Sequence, residues 1–380
     1  MKAIVNGRIL LEDGVLENKA LLFDDEIAGF ADTAPEGAEV VDAEGGWIAP
    51  GLIDVHCHGF QGMDASNGDL NELLHMSEIK ARSGVTAWLP TTMTLGWPVL
   101  EKCFSAVRAA MDETARPGFR GARVLGCHAE GPFINARRKG AQAESGIQKP
   151  DAGKLRPWAD VIRLITIAPE VEEALECVRA ARAMGIAVSM GHTDATAEQA
   201  IQGIEAGVTH VTHTFNAMPP LNHREPGVIG AALNSKQVYC ELICDTFHVS
   251  PMLFPVMAKL KPDHLVLITD SIQVAGLPNG VYDQLGATVI VDGIRCRFPD
   301  GTIAGSALTL DRAVRNMVQH GGVPLWRAVA MASLYPARSI GVDGKKGSLA
   351  VGKDADIVIA EPDFNVRRTF VGGECVYSAK

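Results

Sequence analysis

The sequence predicts an α/β fold: a (β/α)8 TIM-like barrel with a small β-sandwich domain formed by the N- and C-terminal segments. The first observation is that eight short apolar, β-branched segments recur along the chain, with helical patterns between several of them. The second is that residues 1–51 and 346–380 alternate like strands and turns. Repeated strand–helix alternation is typical of a closed parallel barrel, because each helix returns the chain to begin the next parallel strand.

Eight segments are predicted as barrel strands because each is a short run rich in apolar and β-branched residues. In chain order they are LIDVHCHG from residue 52, VTAWLPTT from 85, ARVLGCHAEGP from 122, VIRLITIAPE from 161, IAVSMGH from 186, VTHVTHTF from 208, VYCELICDTFH from 238 and HLVLITDS from 264. Helices are predicted within residues 69–84, 98–113, 170–185 and 194–207. The last three show apolar residues at three- and four-residue spacing, and three of the four segments end at glycine.

The two ends of the chain are predicted to form one small β domain, from residues 1–51 and 346–380, beside a barrel of residues 52–345. We expect the two pieces to pair with each other, which joins the N- and C-terminal segments in one unit.

The composition narrows the class of protein. Apolar residues make up 47% of the 380 residues and charged residues 21%, which supports a large core. The formal net charge is -10 without a long basic run, which argues against nucleic acid or an anionic membrane as the main partner. We see no signal peptide and no apolar run near the roughly 20 residues that a membrane helix needs. The eight cysteines include no C-x-x-C pair, so we expect reduced thiols and a cytoplasmic location.

Two histidines one residue apart end the first predicted strand. Side chains alternate faces along a strand, so His56 and His58 point the same way and Cys57 points the other way. At the carboxyl end of a barrel strand, that direction is the mouth where barrel enzymes keep their chemistry. Two imidazoles there are able to hold a metal ion, and the alternative is a pair of buried, hydrogen-bonded histidines.

Four other predicted strands also end in a residue of metal-ligand type. These are Glu130 on the third strand, His192 on the fifth, His213 on the sixth and Asp270 on the eighth. Because the carboxyl ends of all barrel strands meet at one rim, chance placement of so many ligand-type residues is improbable. The pattern therefore predicts metal-dependent catalysis.

The residue types indicate what the metal does. Mixed histidine and carboxylate ligands suit Zn²⁺ or Fe²⁺, with a position left for water. A bound divalent ion lowers the pKa of water toward neutrality and so supplies a nucleophile for a carbonyl. Asp270 is then the natural general base, and its alternative role is that of a further metal ligand. The fourth predicted strand has no lysine to bridge two metals, so any bridging must come from Glu130.

The ordered motifs resemble those of the amidohydrolase superfamily and, within it, the N-acetylglucosamine-6-phosphate deacetylases. The resemblance covers nearly the whole chain. Its landmarks are PGLIDVHCHG (50–59), HAEGPFIN (128–135), KGAQ (139–142), APE (168–170), GHTDAT (191–196), HTFNAMPPLNHREPG (213–227), FHVSP (247–251), LITD (267–270), GTIAGSALT (301–309) and ASLYPARSIGVDGKKGSL (332–349).

The resemblance implies hydrolysis of the acetamide of a phosphorylated amino sugar, with release of acetate, by a homodimer in which loops of one subunit complete the pocket of the other. It implies that Glu130, His192 and His213 are the principal metal ligands and that Asp270 is the catalytic acid and base. The residues that it implies in substrate contact are Ala141, Gln142, Asn216, Ala217, Arg224, His248, Ile303, Ala304 and Gly305, with His248 also at the catalytic centre.

Arg224 also makes sense without the resemblance, because a guanidinium binds phosphate in a bidentate manner. Its alternative role is an ion pair with a neighbouring acid such as Glu225. Some relatives replace the first H-x-H and use one metal, whereas this chain keeps both histidines, so one or two metals per subunit are possible. Gln142 stands where some relatives have histidine, and an amide hydrogen-bonds but does not titrate.

Other assignments stay open. The main alternative substrate is the C4 epimer, N-acetylgalactosamine 6-phosphate, because the deacetylases for that sugar share most of these landmarks. Another amide hydrolase and a catalytically inactive barrel are less well supported, since the phosphate-binding pattern and all expected ligands are present. We interpret His128 as a buried residue that supports the site or fills the barrel core, and His223 is assigned to neither phosphate nor solvent.

Overall fold

The predicted fold class is confirmed by a computed structural model, which describes residues 1–284 and 286–379. Each predicted barrel segment contains a strand of the parallel sheet, and the third contains two short ones. The strands are Leu52–Cys57, Val85–Thr92, Arg123–Val124 with Cys127–Glu130, Ile162–Ile167, Ala187–Met190, His210–Val211, Tyr239–Ile243 and Leu265–Ile268.

The strands pair in sequence order and the sheet closes on itself. The eighth strand meets the first through a bridge between Cys57 and Ser271 and through the hydrogen bond from the N–H of Asp270 to the carbonyl of His56, 2.9 Å long. Because all these pairings are parallel, the carboxyl ends of the eight strands meet at one rim.

Helices follow most of the barrel strands. The α-helices span Leu70–Lys80, Trp97–Ala115, Ala152–Leu155, Ala174–Ala183, Ala197–Ala206, Gly227–Asn234, Phe254–Leu260, Leu310–Gly321, Leu325–Ala332 and Leu334–Ser339. Short 3-10 turns span Ala65–Asn67, Ala81–Ser83, Ala136–Arg138, Glu144–Gly146, Arg156–Trp158 and Pro251–Leu253. Among the described residues, no helix combines the length and the apolar character that crossing a bilayer requires.

All four predicted helices are present, and their local chemistry explains their bounds. Asp69 caps Leu70–Lys80 by accepting hydrogen bonds from the N–H groups of Asn71 and Glu72. Thr196 and Gln199 form a reciprocal capping box at the start of Ala197–Ala206, which ends before Gly207. The prediction for 170–185 started too early, because the chain turns first and Glu173, with φ 67, lies outside the helical region.

The terminal segments form two β-sheets that share one apolar core. One sheet consists of Lys2–Val5, Ala20–Phe23, Ile27–Ala31 and Glu39–Asp42, and the other of Arg8–Leu11, Gly14–Leu16, Trp47–Pro50, Ile357–Ala360, Val366–Val371 and Glu374–Ser378. Buried residues of both, including Phe23, Ile48 and Phe370, pack in the same cluster. The boundaries at 51/52 and 345/346 stay a prediction, and Lys380 lies outside the described residues.

Two further sheets were not predicted. A hairpin of Gly59–Phe60 and Met63–Asp64 follows the first barrel strand. A four-stranded antiparallel sheet lies between the eighth barrel strand and the helix Leu310–Gly321, and it consists of Gly280–Gln284, Ala287–Asp292, Arg295–Arg297 and Ile303–Ser306. This sheet brings the Ile303–Gly305 segment to the carboxyl rim of the barrel, where its last strand bridges to Ser271.

Candidate active site

The two histidines of the first strand lie against Glu130 and Asp270. Nε2 of His56 lies 3.3 Å from Oε1 of Glu130, and Nε2 of His58 lies 3.3 Å from Oε2 of the same carboxylate. Oδ1 of Asp270 lies 3.4 Å from both imidazole Nε2 atoms. These four buried side chains, from three different strands, converge on one point at the rim.

A second group of donors lies on the other side of Glu130. Oε1 of Glu130 lies 3.2 Å from Nε2 of His192 and 3.1 Å from Nε2 of His213, and the two imidazole atoms are 3.0 Å apart. Glu130 therefore belongs to two adjacent groups of donor atoms, and within each group the atoms lie within 4.8 Å of one another. The structure thus brings together all six residues that the sequence predicted for the metal and the general base.

Hydrogen bonds to the outer ring nitrogen fix the tautomers of these histidines. Nδ1 of His58 lies 3.1 Å from the carbonyl of Thr91, and Nδ1 of His192 lies 3.0 Å from the carbonyl of Arg138. A carbonyl only accepts, so each Nδ1 carries a proton and each Nε2 faces Glu130, where it is able to bind a metal ion once it carries no proton of its own. Nδ1 of His56 lies 2.9 Å from Oε2 of Glu241, with the same result.

The backbone bends sharply where three of these residues leave their strands. The φ angles of His192, His213 and Asp270 are 49, 30 and 48 degrees, in the left-handed region that L-residues rarely adopt. Such conformations cost about 1–3 kcal/mol each and persist only where surrounding contacts hold them. The carbonyl of His192 accepts from the N–H of Asn135 at 2.9 Å, which holds one of these bends.

The electrostatics of the cluster favour bound positive charge. Burial lowers the pKa of His58, but hydrogen bonds to Asp270 and Glu130 outweigh it and raise the pKa to about 10. Burial raises the pKa of Glu130, but the charges of His192 and His56 outweigh it and hold the pKa well below its usual range. The imidazole nitrogens and carboxylate oxygens fit a borderline divalent ion such as Zn²⁺ or Fe²⁺.

Asp270 is ionised and faces the cavity. Burial raises its pKa, but the charge of His56 and the hydrogen bond from His58 outweigh it and lower the pKa below its ordinary value. An ionised carboxylate is able to accept a proton or bind a metal, so both roles considered from the sequence remain compatible with the geometry.

A cavity of about 420 Å³ opens above the metal-ligand candidates. Its lining contains the predicted residues His58, Glu130, Ala141, Gln142, His192, His213, Asn216, Ala217, His248, Asp270, Ile303, Ala304 and Gly305. Apolar side chains that were not predicted, including Met93, Leu95 and Phe298, complete the wall. A polar floor with a partly apolar wall is the usual form of a small-molecule site.

Arg224 is the predicted substrate residue that lies outside this lining. Its side chain is exposed, and its backbone N–H donates to Oδ1 of Asn222 in the same loop at 3.0 Å. The neighbouring acid Glu225 accepts instead from the N–H groups of Ala197 and Gly227, at 2.9 and 3.3 Å. A role for Arg224 in phosphate binding stays a prediction, and His223 beside it is likewise exposed.

Gln142 is buried, and both ends of its amide already have partners. Its Nε2 donates to Oε2 of Glu130, and its Oε1 accepts from the N–H of Thr94 at 2.7 Å. The side chain therefore holds the shared carboxylate from the cavity side. Direct contact of Gln142 with a sugar stays a prediction.

Two carboxylates at the site were missed from the sequence. Asp245 lies 2.7 Å from Nδ1 of His248, and Glu241 contacts His56. Each had a weak signal, because Glu241 and Asp245 are the two charged residues other than histidine within the predicted strand that begins at residue 238. His128 lies inside the barrel below the site, where its Nε2 is 2.8 Å from Oγ1 of Thr166.

Comparisons with known proteins agree with this chemistry. Residues 47–376 match the profile of the amidohydrolase family. The chain is 36% identical over 374 residues to the N-acetylgalactosamine-6-phosphate deacetylase of Escherichia coli O157:H7, with 97% of each chain covered. It is 34% identical over 387 residues to the N-acetylglucosamine-6-phosphate deacetylase of Bacillus subtilis strain 168, which covers 100% of this chain and 95% of that one.

Solved structures show the same similarity. The N-acetylglucosamine-6-phosphate deacetylase from Pasteurella multocida superposes with a TM-score of 0.93 at 34% identity, over 100% of both chains. A mutant of the Mycobacterium smegmatis enzyme, in complex with N-acetyl-D-glucosamine-6-phosphate, superposes with a TM-score of 0.89 at 30% identity, over 99% of both chains.

Proposed function

The chain belongs to the amidohydrolase family, and we propose that it is the hydrolase that converts N-acetyl-D-glucosamine 6-phosphate and water to D-glucosamine 6-phosphate and acetate. The observation that carries this proposal is the cluster of four imidazoles around Glu130, with Asp270 beside them, on the floor of the 420 Å³ cavity. The full-length similarity to deacetylases of N-acetylhexosamine 6-phosphates supports the substrate class.

We propose that the cluster holds two divalent ions, Zn²⁺ or Fe²⁺. His56 and His58 would bind one and His192 and His213 the other, with Glu130 between them, and the two donor groups support this count. When bound, the metal centre lowers the pKa of a water molecule and polarises the acetamide carbonyl. The Nε2 atoms already face inward, which favours binding, because little rearrangement of the rings is needed.

Asp270 moves the proton in this mechanism. Its carboxylate takes a proton as the water oxygen attacks the acetamide carbon, and it gives that proton to the amine nitrogen as the C–N bond breaks. Asp270 is ionised in the structure, so it is free to accept a proton in the first of these roles. The products are acetate and the amino sugar, and Asp270 ends the cycle as the carboxylate.

Residues on the cavity wall orient the substrate. We assign His248, Asn216 and the backbone of Ala217 to the sugar phosphate, together with the segment from Ile303 to Gly305. The exposed position of Arg224 is compatible with a homodimer in which loops of one subunit complete the cavity of the other.

We assign the enzyme to the cytoplasm, and its net charge of -10 favours neither nucleic acid nor an anionic membrane as a partner.

The second candidate substrate is N-acetylgalactosamine 6-phosphate. It is favoured by the 36% identity to the E. coli O157:H7 enzyme for that sugar, which exceeds the 34% to the B. subtilis enzyme. Acetate release from both sugars, measured side by side after loading with Zn²⁺ or anaerobic Fe²⁺, separates the two. A higher kcat/KM for N-acetylglucosamine 6-phosphate supports the proposal. A higher value for N-acetylgalactosamine 6-phosphate shows that this epimer is the substrate. Turnover of neither sugar contradicts both assignments.

A further inference from the structure

We propose that Glu241 is a positioning residue of the metal centre, which holds one histidine from each of the two metal-ligand groups and chiefly sets how tightly the His56 and His58 half binds its ion. This inference rests on the proposed function, because it requires a centre with two metals. Glu241 lies on the seventh barrel strand, Tyr239–Ile243, and is fully buried below the cavity.

One carboxylate oxygen contacts both halves of the centre. Oε2 of Glu241 lies 2.9 Å from Nδ1 of His56, and it also accepts a hydrogen bond from the N–H of His213 at 3.1 Å. His56 belongs to one donor group and His213 to the other. A displacement of this carboxylate would therefore affect both donor groups. It would act on His56 through a ring nitrogen and on His213 through the backbone N–H.

The contact with His56 fixes the state of its ring. Because the carboxylate only accepts, Nδ1 of His56 carries a proton and Nε2 is the ring atom that faces Glu130, at 3.3 Å. Among the described residues, His58 and His192 have neutral carbonyl partners, and Nδ1 of His213 has no partner. His56 is thus the ligand with an anionic partner, which raises ligand basicity and orders the ring.

The contact with His213 holds a strained turn. The φ angle of His213 is 30 degrees, and its N–H points to Glu241 at the position where the sixth strand ends. The next amide along the chain also contributes, because the N–H of Thr214 donates to the carbonyl of Glu241 at 2.9 Å. The backbone bond at Thr214 survives any side-chain replacement, so the His213 half should be affected less than the His56 half.

Charge gives an independent argument. The salt-bridge partner of Glu241 among the described residues is the imidazole of His56, with no lysine or arginine. A buried carboxylate is costly without a compensating positive charge. As carboxylates, Glu130, Asp270 and Glu241 carry three negative charges, which one divalent ion balances only if an imidazole of the cluster also keeps a proton, whereas two ions balance them without one. The third carboxylate thus favours occupancy of both halves.

The test uses Glu241→Gln, which keeps the size of the side chain and an acceptor atom but removes the charge. Asp356→Asn is the matched control, because Asp356 is a buried carboxylate directly before the strand Ile357–Ala360 and pairs with Lys346. Zinc content per chain and the rate of zinc transfer to a chelating dye are measured on the loaded proteins. Loss of such a ligand partner typically weakens metal binding about 10- to 100-fold.

We expect half of the zinc to leave Glu241→Gln at least about 10-fold faster than wild type, and the other half to change by less than about threefold. Asp356→Asn should release both ions as wild type does. Release from Glu241→Gln at the wild-type rate overturns the proposal. Three ions per wild-type chain also overturn it, because they assign the cluster of His56, His128 and Glu241 to a cation instead.

A double variant tests whether the effect passes through His56. In a His56→Asn background, Glu241→Gln should add no further acceleration, since contacting residues that act together are not additive. Equal acceleration in both backgrounds overturns the positioning role. If Glu241→Gln does not fold by circular dichroism, Glu241→Asp replaces it; this variant keeps the charge and should release zinc at an intermediate rate, with the wild-type rate again contradicting us.

Failure of this inference is distinguishable from failure of the proposed function. A wild-type protein that binds no zinc, or binds it without deacetylase activity, contradicts the proposed function. A wild-type protein with two ions and deacetylase activity, whose Glu241 variants release zinc unchanged, contradicts the role of Glu241 alone.

Discussion

Asp245 holds His248 at the edge of the cavity through both of its carboxylate oxygens. Oδ2 of Asp245 lies 2.7 Å from Nδ1 of His248, while Oδ1 accepts from the N–H groups of Phe247 and His248, each at 2.8 Å. The carboxylate thus fixes both the ring and the backbone that carries it. With Nδ1 as donor, Nε2 of His248 is the ring atom available to a ligand in the cavity.

Asp245→Asn should therefore lower kcat/KM by about 10- to 100-fold, since loss of the partner lets the imidazole take the wrong tautomer. The readouts are steady-state kinetics and zinc content, which should not change. In a His248→Ala background the same substitution should have no further effect. A full additional loss there would contradict action through His248.

Asp270→Asn should abolish turnover while zinc stays bound. An amide cannot take a proton from water, and general acid–base groups contribute about 10²- to 10⁴-fold to rate. Acetate release and metal content are measured together, with Asp363→Asn as a control at an exposed acid. Near-normal activity of Asp270→Asn would show that another group moves the proton.

Arg224→Ala should raise KM for the phosphorylated sugar far more than for the unphosphorylated one. A charge-assisted hydrogen bond contributes about 1.5–3 kcal/mol, which corresponds to about 10-fold or more. Arg137→Ala is a suitable control, because the Arg137 side chain is also exposed and its ion pair with Asp194 is long, at 3.7 Å. Equal effects on both sugars would remove the phosphate assignment.

Removal of metal should lower the Tm, and zinc should restore it. A ligand that binds only the folded state stabilises it by about 4 kcal/mol at 1,000 times its Kd. In the metal-free protein, protonation of His58 stabilises the folded state. This stabilisation is complete below pH 6.5, the ordinary pKa of histidine, and it is lost as the pH rises through about 10, the pKa of His58 in the folded protein.

Metal competes with that proton, so the gain in Tm from zinc should grow between pH 6 and pH 8. Thermal unfolding at both pH values, with and without chelator, provides the measurement. A gain that shrinks with pH would contradict the assignment of His58 as a ligand.

The barrel and its metal-ligand candidates were predictable because both follow from local sequence. Barrel strands are buried on both faces, so each appears as a short apolar run such as Val85–Thr92, which is buried throughout. Parallel strands share a carboxyl rim, so one residue at the end of each run is enough to assemble His56, Glu130 and His192.

The contacts of the site were not predictable in the same way. Glu241 is 185 positions from His56, and no local pattern encodes that pairing. The antiparallel sheet after the eighth strand had one local signal, the Asp292–Gly293 turn typical of hairpins. Its strands alternate between buried and exposed residues, so they lack the continuous apolar character of the barrel strands.

The six-stranded terminal sheet joins distant parts of the chain beside the strand that carries His56. Ile48 pairs with Ile359 across 311 positions, and Gly51, which begins the link to Leu52–Cys57, donates to the carbonyl of Asp356 at 2.9 Å. At about 5–20 residues per second, a ribosome needs roughly 15–60 s between these partners. For that time we expect the nascent chain to expose an unpaired apolar strand edge, which favours aggregation or binding by chaperones. Fragments that stop before residue 357 should aggregate even though they contain every metal-ligand candidate.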